Sequence, residues 1–220
     1  MAVHPYYPRS LELDGYVEPS HGLGVLLATM GAAIAAVAGV THAAFGWRGV
    51  TRADRMAAQW FAVNGALHMV FELYFLVHFD DMAGRRDIVG SLWKEYAKGD
   101  SRYLARSAQV RMLETVTVGV VGPLCWAVVG AIWTRRAAVR DLAQLTASVL
   151  HVYSLALYGG TEVLGAESNS RPEALYYWGY FVGANAPWLV VPLWLAAGSG
   201  RRIMASQAAA GGSKQESKHE

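Results

Sequence analysis

At 220 residues, with 54% hydrophobic and 16% charged side chains, the chain is more apolar than a typical soluble domain, in which about a quarter of residues are charged. The formal charge of +2 comes from basic residues scattered at the ends of apolar segments, a pattern that excludes nucleic acid as the expected partner. Cys125, the single cysteine, excludes an internal disulfide and thiolate metal clusters and reads as a small apolar side chain.

In chain order, an N-terminal arm over residues 1–22 lacks a basic stretch running into an apolar core and a small-residue cleavage site, so the first apolar segment is expected to act as the insertion signal. Five apolar runs near 20 residues then predict five spanning helices: Leu23–Trp47, Met56–Phe79, Met112–Trp133, Leu142–Val163 and Tyr176–Ala197. The expected architecture is all-α, a polytopic membrane bundle over residues 23–200 with a polar loop at 80–111 and a disordered tail at 201–220. Arg48, Arg52 and Arg55, then Arg135, Arg136 and Arg140, then Arg201 and Arg202 fall on one side of such a bundle, which the positive-inside rule makes cytoplasmic. Seven basic residues of the long loop, among them Arg85 and Arg106, run against that orientation. Ala28, Gly31, Ala35 and Ala38 give the first span a small-residue face able to pack against a second protomer, in a homodimer, or against its own bundle.

The second span carries His68 and Glu72, four apart and so on one helix face, which Asn64 extends by a turn. Charge at membrane depth is costly, by roughly 2.5–3.5 kcal/mol for an acidic residue at the helix centre, and this marks the pair as a functional site; a structural pair locking helix to helix is the alternative. In the third span Glu114 and Thr117, three apart, share a face ahead of Gly122-Pro123, although a start slightly further along would leave Glu114 interfacial. In the fifth, Asn185 and Trp188 flank Pro187, and a proline inside a span often marks a cavity. Tyr176, Tyr177, Trp178 and Tyr180 read as interface anchors, whereas Trp188 lies too deep for that role.

The seven histidines are too widely spaced for a di-iron cluster, the order His-x-x-x-Glu occurs once rather than as paired Glu-x-x-His, and neither a phosphate-binding loop nor a dinucleotide fingerprint is present. What remains is acid–base chemistry with no cofactor and no metal, or binding of a lipophilic ligand without chemistry. Protonating an isolated carbon–carbon double bond needs an acid, an electron-rich face for the carbocation, and a base to remove a different proton. Tryptophan provides the best cation–π face, and two carboxyls in unlike surroundings can divide the acid and base roles.

The stretch Trp93-Lys94-Glu95-Tyr96-Ala97-Lys98-Gly99-Asp100-Ser101-Arg102-Tyr103 resembles the signature loop of the emopamil-binding protein family, the sterol 8,7-isomerases of the endoplasmic reticulum. The resemblance extends over roughly residues 4–195, through His4-Pro5-Tyr6, Leu67-His68 with Glu72, Met112-Leu113-Glu114-Thr115, Gly122-Pro123-Leu124 and Asn185 with Trp188, and the N-terminal segment is most similar to plant-type members.

That resemblance implies five helices enclosing a sterol-sized cavity, and movement of a sterol nuclear double bond from the 8(9) to the 7(8) position. It implies His68, Glu72 and Glu114 as catalytic residues, Trp188 as the carbocation's partner, Thr117 and Asn185 in support, and Tyr96, Arg102 and Tyr103 in secondary roles. Which glutamate is acid and which base stays open. Lipophilic cationic amines are the implied inhibitors and membrane lipid the surroundings. The tail Glu216-Ser217-Lys218-His219-Glu220 has one lysine where a dilysine retrieval signal has two, so residence in the reticulum is implied by the family alone. Two rival activities share the site: non-catalytic binding or trafficking of sterols or amines, and a subunit of a sterol-epoxide hydrolase.

Overall fold

A computed structural model describes residues 4–216, with the side chains of residues 212–216 left aside. Among the described residues there are helices and no strand. The α-helices are α1 (Leu23–Trp47), α2 (Arg52–Ala66), α3 (Leu73–Val77), α4 (Ile88–Tyr96), α5 (Ala108–Val116), α6 (Gly122–Trp133), α7 (Ala137–Val163) and α8 (Pro187–Glu216). A π-helical turn, Leu67–Glu72, joins α2 to α3; a second, Thr117–Val121, joins α5 to α6; a third, Leu175–Gly183, precedes α8. Each composite thus runs on as one rod.

Four of these rods are long and apolar enough to cross a membrane: Leu23–Trp47, Arg52–Val77, Ala108–Trp133 and Leu175–Gly211. The fourth expected span, within α7, is a helix of 27 residues but is not among the four by hydropathy. Its buried face explains this, because Asp141, Gln144, Ser148, His151 and Glu162 all point inward. The first rod is the most exposed: Leu23, Val25, Leu27 and Val40 lie open, as do Ala28, Gly31 and Ala35 of the small-residue face, whereas Ala38 is half-buried and its carbonyl accepts from Gln59 Nε2 at 3.3 Å.

The three basic stretches meet at one end of the bundle. Arg48 donates to the Trp133 carbonyl at 2.8 Å, Arg135 to the Arg48 carbonyl at 3.1 Å, Arg140 pairs with Asp54 at 2.7 Å, and Arg202 with Asp141 at 2.7 Å. The tail expected to lack structure from residue 201 instead continues α8 to Glu216, in keeping with the high helix propensity of Ala205, Ala208, Ala209 and Ala210; residues 217–220 lie outside the described residues.

The polar loop at 80–111 is a folded cap at the other end. Asp87 caps α4 by accepting from the Gly90 N–H at 3.0 Å. Burial alone would raise its carboxyl, but the Gly90 N–H, the Tyr74 hydroxyl and Arg85 hold it at about 2. Trp93 stacks on Tyr103 at 4.9 Å and, across to the second rod, Phe71 stacks on Trp93 at 4.4 Å. The N-terminal arm packs on this cap: Tyr6 is fully buried and donates to the Lys94 carbonyl, Ser101 donates to the Tyr7 carbonyl, and Lys94 Nζ donates to the Val17 carbonyl. Removal from water lowers the Lys94 amine to about 8.

The second and third rods approach closely at glycines. A Cβ on Gly65 would fall 2.7 Å from Trp126 Nε1, and one on Gly122 would fall 2.7 Å from Met69 Cγ and 3.2 Å from His68 Cβ. We expect Gly65→Ala to lower the thermal midpoint in detergent, since overpacking against a rigid ring costs about 1–3 kcal/mol. Gly130→Ala, where the added carbon meets open space, should leave it unchanged or raise it.

Candidate active site

A π turn opens the backbone bonding from i→i+4 to i→i+5 and is found mostly where function demands it. The first one here carries His68 and Glu72, the second begins with Thr117, and the third ends two residues before Asn185. Pro123 follows the second and lacks the N–H that an unbroken α-helix would need there. The predicted residues therefore sit on bulged turns, yet His68 and Glu72 still meet: His68 Nδ1 lies 2.7 Å from both carboxylate oxygens.

Glu72 and Glu114 come together around one hydroxyl. Thr117 Oγ1 is 2.6 Å from Glu72 Oε2 and 3.2 Å from Glu114 Oε2, and has the Glu114 carbonyl at 3.0 Å. Tyr103 donates to Glu114 Oε1 at 2.8 Å, so the cap reaches down to hold the second carboxyl. Glu114 is buried within the protein.

These groups line a pocket of about 320 Å³, within the range of small-molecule sites, ~300–1,000 Å³. His68, Glu72, Glu114, Thr117, Tyr96, Tyr103, Asn185 and Trp188 all face it. Met30 and Ile34 of α1, Leu67, Phe71, Leu113 and Leu155 supply apolar wall, and Trp93 and Tyr96 form the roof. Trp188 is fixed by its indole N–H, which donates to Asn64 Oδ1 at 2.6 Å, while Asn64 Nδ2 donates to the Trp60 carbonyl at 2.8 Å. Asn64 extends the His68–Glu72 face as its spacing predicts, and its task is to orient the tryptophan.

Three expectations change. Asn185, expected in support of the catalytic residues, bonds none of them: it donates to the Phe181 carbonyl at 2.7 Å and faces the Tyr96 hydroxyl at 3.4 Å. Tyr177 and Tyr180 are not simple interface anchors, because Tyr177 packs on the buried aromatic cluster and Tyr180 donates to Glu95 of the cap at 2.9 Å. Arg102 does not line the pocket: it is buried against Asp100 at 2.6 Å and donates to Thr161 and to the Tyr158 carbonyl, riveting the cap to α7.

His151, on α7, is the pocket residue that the sequence reading passed over. Its Nε2 lies 2.9 Å from His68 Nε2, the length of one N–H···N hydrogen bond, and it lengthens the pair to Glu72–His68–His151. A histidine among buried polar residues three and four apart on α7 was the available signal. Among the described residues, one group offers metal-ligand spacing: ligand atoms of His68, Cys125 and His151 lie within 4.8 Å of one another.

Comparison with known proteins decides the family. The model of the EXPERA (expanded EBP) superfamily matches residues 88–199. The chain belongs to the EBP family. A mouse 3-beta-hydroxysteroid-Delta(8),Delta(7)-isomerase is 33% identical, over 86% of this chain and 84% of that relative. A probable 3-beta-hydroxysteroid-Delta(8),Delta(7)-isomerase of Arabidopsis thaliana is 30% identical over 94% of this chain and 92% of its own length. An isomeliandiol synthase of Ailanthus altissima is 32% identical over 69% and 72%. The cap from Ile88 onward and the last rod as far as Ser199 fall inside the family match, and the His68–Glu72 turn falls inside the long alignments' reach.

Placing Arg102 outside the pocket has a measurable consequence. Arg102→Met should strand Asp100 and lower stability by about 3–5 kcal/mol, the usual cost of breaking a buried pair. Arg102→Lys, which keeps the charge, should recover part of the loss in thermal midpoint.

Proposed function

We propose that this protein is a sterol isomerase that moves a nuclear double bond from the 8(9) to the 7(8) position by protonation and deprotonation, without a redox step. The observation that carries the reading is the pair of carboxyls on one threonine hydroxyl, Glu114 buried and Glu72 partly so, set in an apolar pocket with a fixed tryptophan. The names of the rodent and plant relatives point the same way.

In the reaction, the Glu72 carboxyl gives its proton to carbon 9. The double-bond electrons form the new C–H bond and leave a cation at carbon 8, which rests against Trp188, whose ring face attracts cations by about 2 kcal/mol or more when water is excluded. Glu114, oriented by Thr117 and Tyr103, takes a proton from carbon 7, and that C–H pair becomes the 7(8) double bond. Proton transfer between the carboxyls through Thr117 then restores the starting state. Asn185 and Tyr96 shape the end of the pocket beneath the cap.

The wider setting is part of the same reading. The isomerase is an endoplasmic-reticulum protein of five spans, with α7 as the fourth: its inward polar face lowers its mean hydropathy, and lipid meets only its outer side. The shared basic end faces the cytoplasm, and the cap and N-terminal arm lie across the membrane from it. The exposed face of α1 meets lipid or, in a dimer, a second copy.

Glu72→Gln and Glu114→Gln should each lower conversion of an 8(9)-unsaturated sterol by 10²–10⁴, the usual worth of general acid or base assistance; gas chromatography–mass spectrometry on purified protein reads the outcome. Retention of full activity by either variant would remove that carboxyl from the scheme. A lipophilic ammonium compound should compete with the sterol, and Trp188→Leu should weaken its binding about thirtyfold if the cation–π contact is worth about 2 kcal/mol.

A further inference from the structure

The buried face of α7 holds a file of polar side chains that the isomerisation scheme leaves unused. Asp141, Gln144, Ser148 and His151 are three, four and three residues apart, so they stack on one side of the helix over about 15 Å at 1.5 Å per residue. All four are buried. Gln144 Nε2 donates to the Leu195 carbonyl and to Ser199, but Gln144 Oε1, Ser148 Oγ and His151 Nδ1 have no protein partner. Three successive unpartnered polar atoms in a helix-packed interior are rare, since more than nine in ten buried polar groups are paired. Such atoms bind internal water, which takes about three hydrogen bonds.

The two ends of the file differ. At the inner end His151 Nε2 meets His68 Nε2, and His68 Nδ1 meets Glu72. At the outer end Asp141 pairs with Arg140 at 3.4 Å and with Arg202 at 2.7 Å, where Arg202 is 43% exposed. Asp54 joins the same cluster through Arg140. Cys125 is the other titratable group beside the two imidazoles.

We propose that this face of α7 is a proton-exchange path connecting the two-carboxyl site with water at the basic end of the bundle, with His151 as its inner relay. The proposal rests on the isomerase reading above. A proton arriving at His151 Nδ1 releases the one on Nε2 to His68 Nε2, and His68 releases its Nδ1 proton to Glu72. Two N–H bonds break as two form, the Glu72 carboxylate becomes a carboxyl, and both rings end neutral in the other tautomer. Run outward, the same hops move the proton that Glu114 took from carbon 7 and passed over Thr117 to Glu72 onto His68 Nδ1, while His68 Nε2 gives its proton to His151 Nε2 and His151 Nδ1 gives one to water. A turn of the imidazoles between the runs exchanges it for one from water, and the site ends each cycle with the proton count it began with.

The path and the direct return between carboxyls put different hydrogens on carbon 9. The test uses an 8(9)-unsaturated sterol carrying two deuterons at carbon 7, turned over many times by the full chain in ordinary water, with the product read by mass spectrometry. The native protein should give product with one deuterium, at carbon 7, because carbon 9 receives hydrogen from water. Ser148→Leu, which plugs the file, and His151→Gln, which still donates to His68 but relays poorly, should give product with two, because the substrate's own deuteron returns to carbon 9. KM should stay near the native value in Ser148→Leu, whose side chain lies outside the pocket. Gln144→Met gives the same reading should Ser148→Leu fail to fold. Native product already carrying two deuterons, or variants that give the native pattern at the native rate, would overturn the path. No 7(8) product from the native protein would overturn the isomerase reading itself.

Discussion

Everything in this molecule is arranged around the need to keep two carboxyls close together where water is scarce. Glu72 and Glu114 approach one threonine hydroxyl, and two like charges at that separation in a low-dielectric interior would repel strongly. A single proton shared between them would relieve that repulsion, which is the starting state of the proposed reaction. The surroundings fit this. His68 braces Glu72, Tyr103 braces Glu114, and each brace comes from a different part of the chain.

The brace from Tyr103 explains the elaborate cap. A tyrosine on a loose loop could not hold a carboxyl in place, but Tyr103 is stacked with Trp93, flanked by Phe75 and Tyr96, and fastened from below by Arg102. The N-terminal arm closes over the cap through Tyr6 and Lys94. Burial of a lysine and an arginine in this layer is costly unless their donors are satisfied, so the polar loop is bound into one arrangement by its own charges. Trp188 is treated in the same way on the opposite wall, held by Asn64.

Much of this was legible in the chain. Apolar runs revealed the rods, and the rarity of charge at membrane depth singled out His68, Glu72 and Glu114. Spacing placed Thr117 and Trp188 correctly on inward faces, because three and four residues bring side chains to one side in an α-helix and nearly so in a π turn. The stretch at 80–111 read only as a polar loop, since its helices and burial depend on paired charges such as Asp100–Arg102, which no periodicity reveals. Asn185 was misjudged because the Phe181 carbonyl, one turn back on its own helix, took its amide, a local acceptor that spacing between helices does not reveal. His151 was overlooked because α7 read as an apolar span, whereas its polar residues share one face and only contact across helices gives that face a meaning.

The three π turns carry a consequence for how such a protein changes over generations. Each is an α-helix holding one surplus residue, and removing that residue would close the turn into regular α-helix. The membrane rod would survive almost unshortened and its two halves would keep nearly their old facing, because the bulge had taken up the surplus residue, yet the side chains of the turn itself would be repositioned. At the first turn, Leu67–Glu72, loss of a residue between His68 and Glu72 would bring them from four positions apart to three and draw their side chains out of the arrangement that meets Thr117, while leaving the apolar walls and Trp188 in place. A single-codon loss would thus convert a catalyst into a receptacle for the same ligands, a short step from enzyme to lipid-binding protein that needs no new fold.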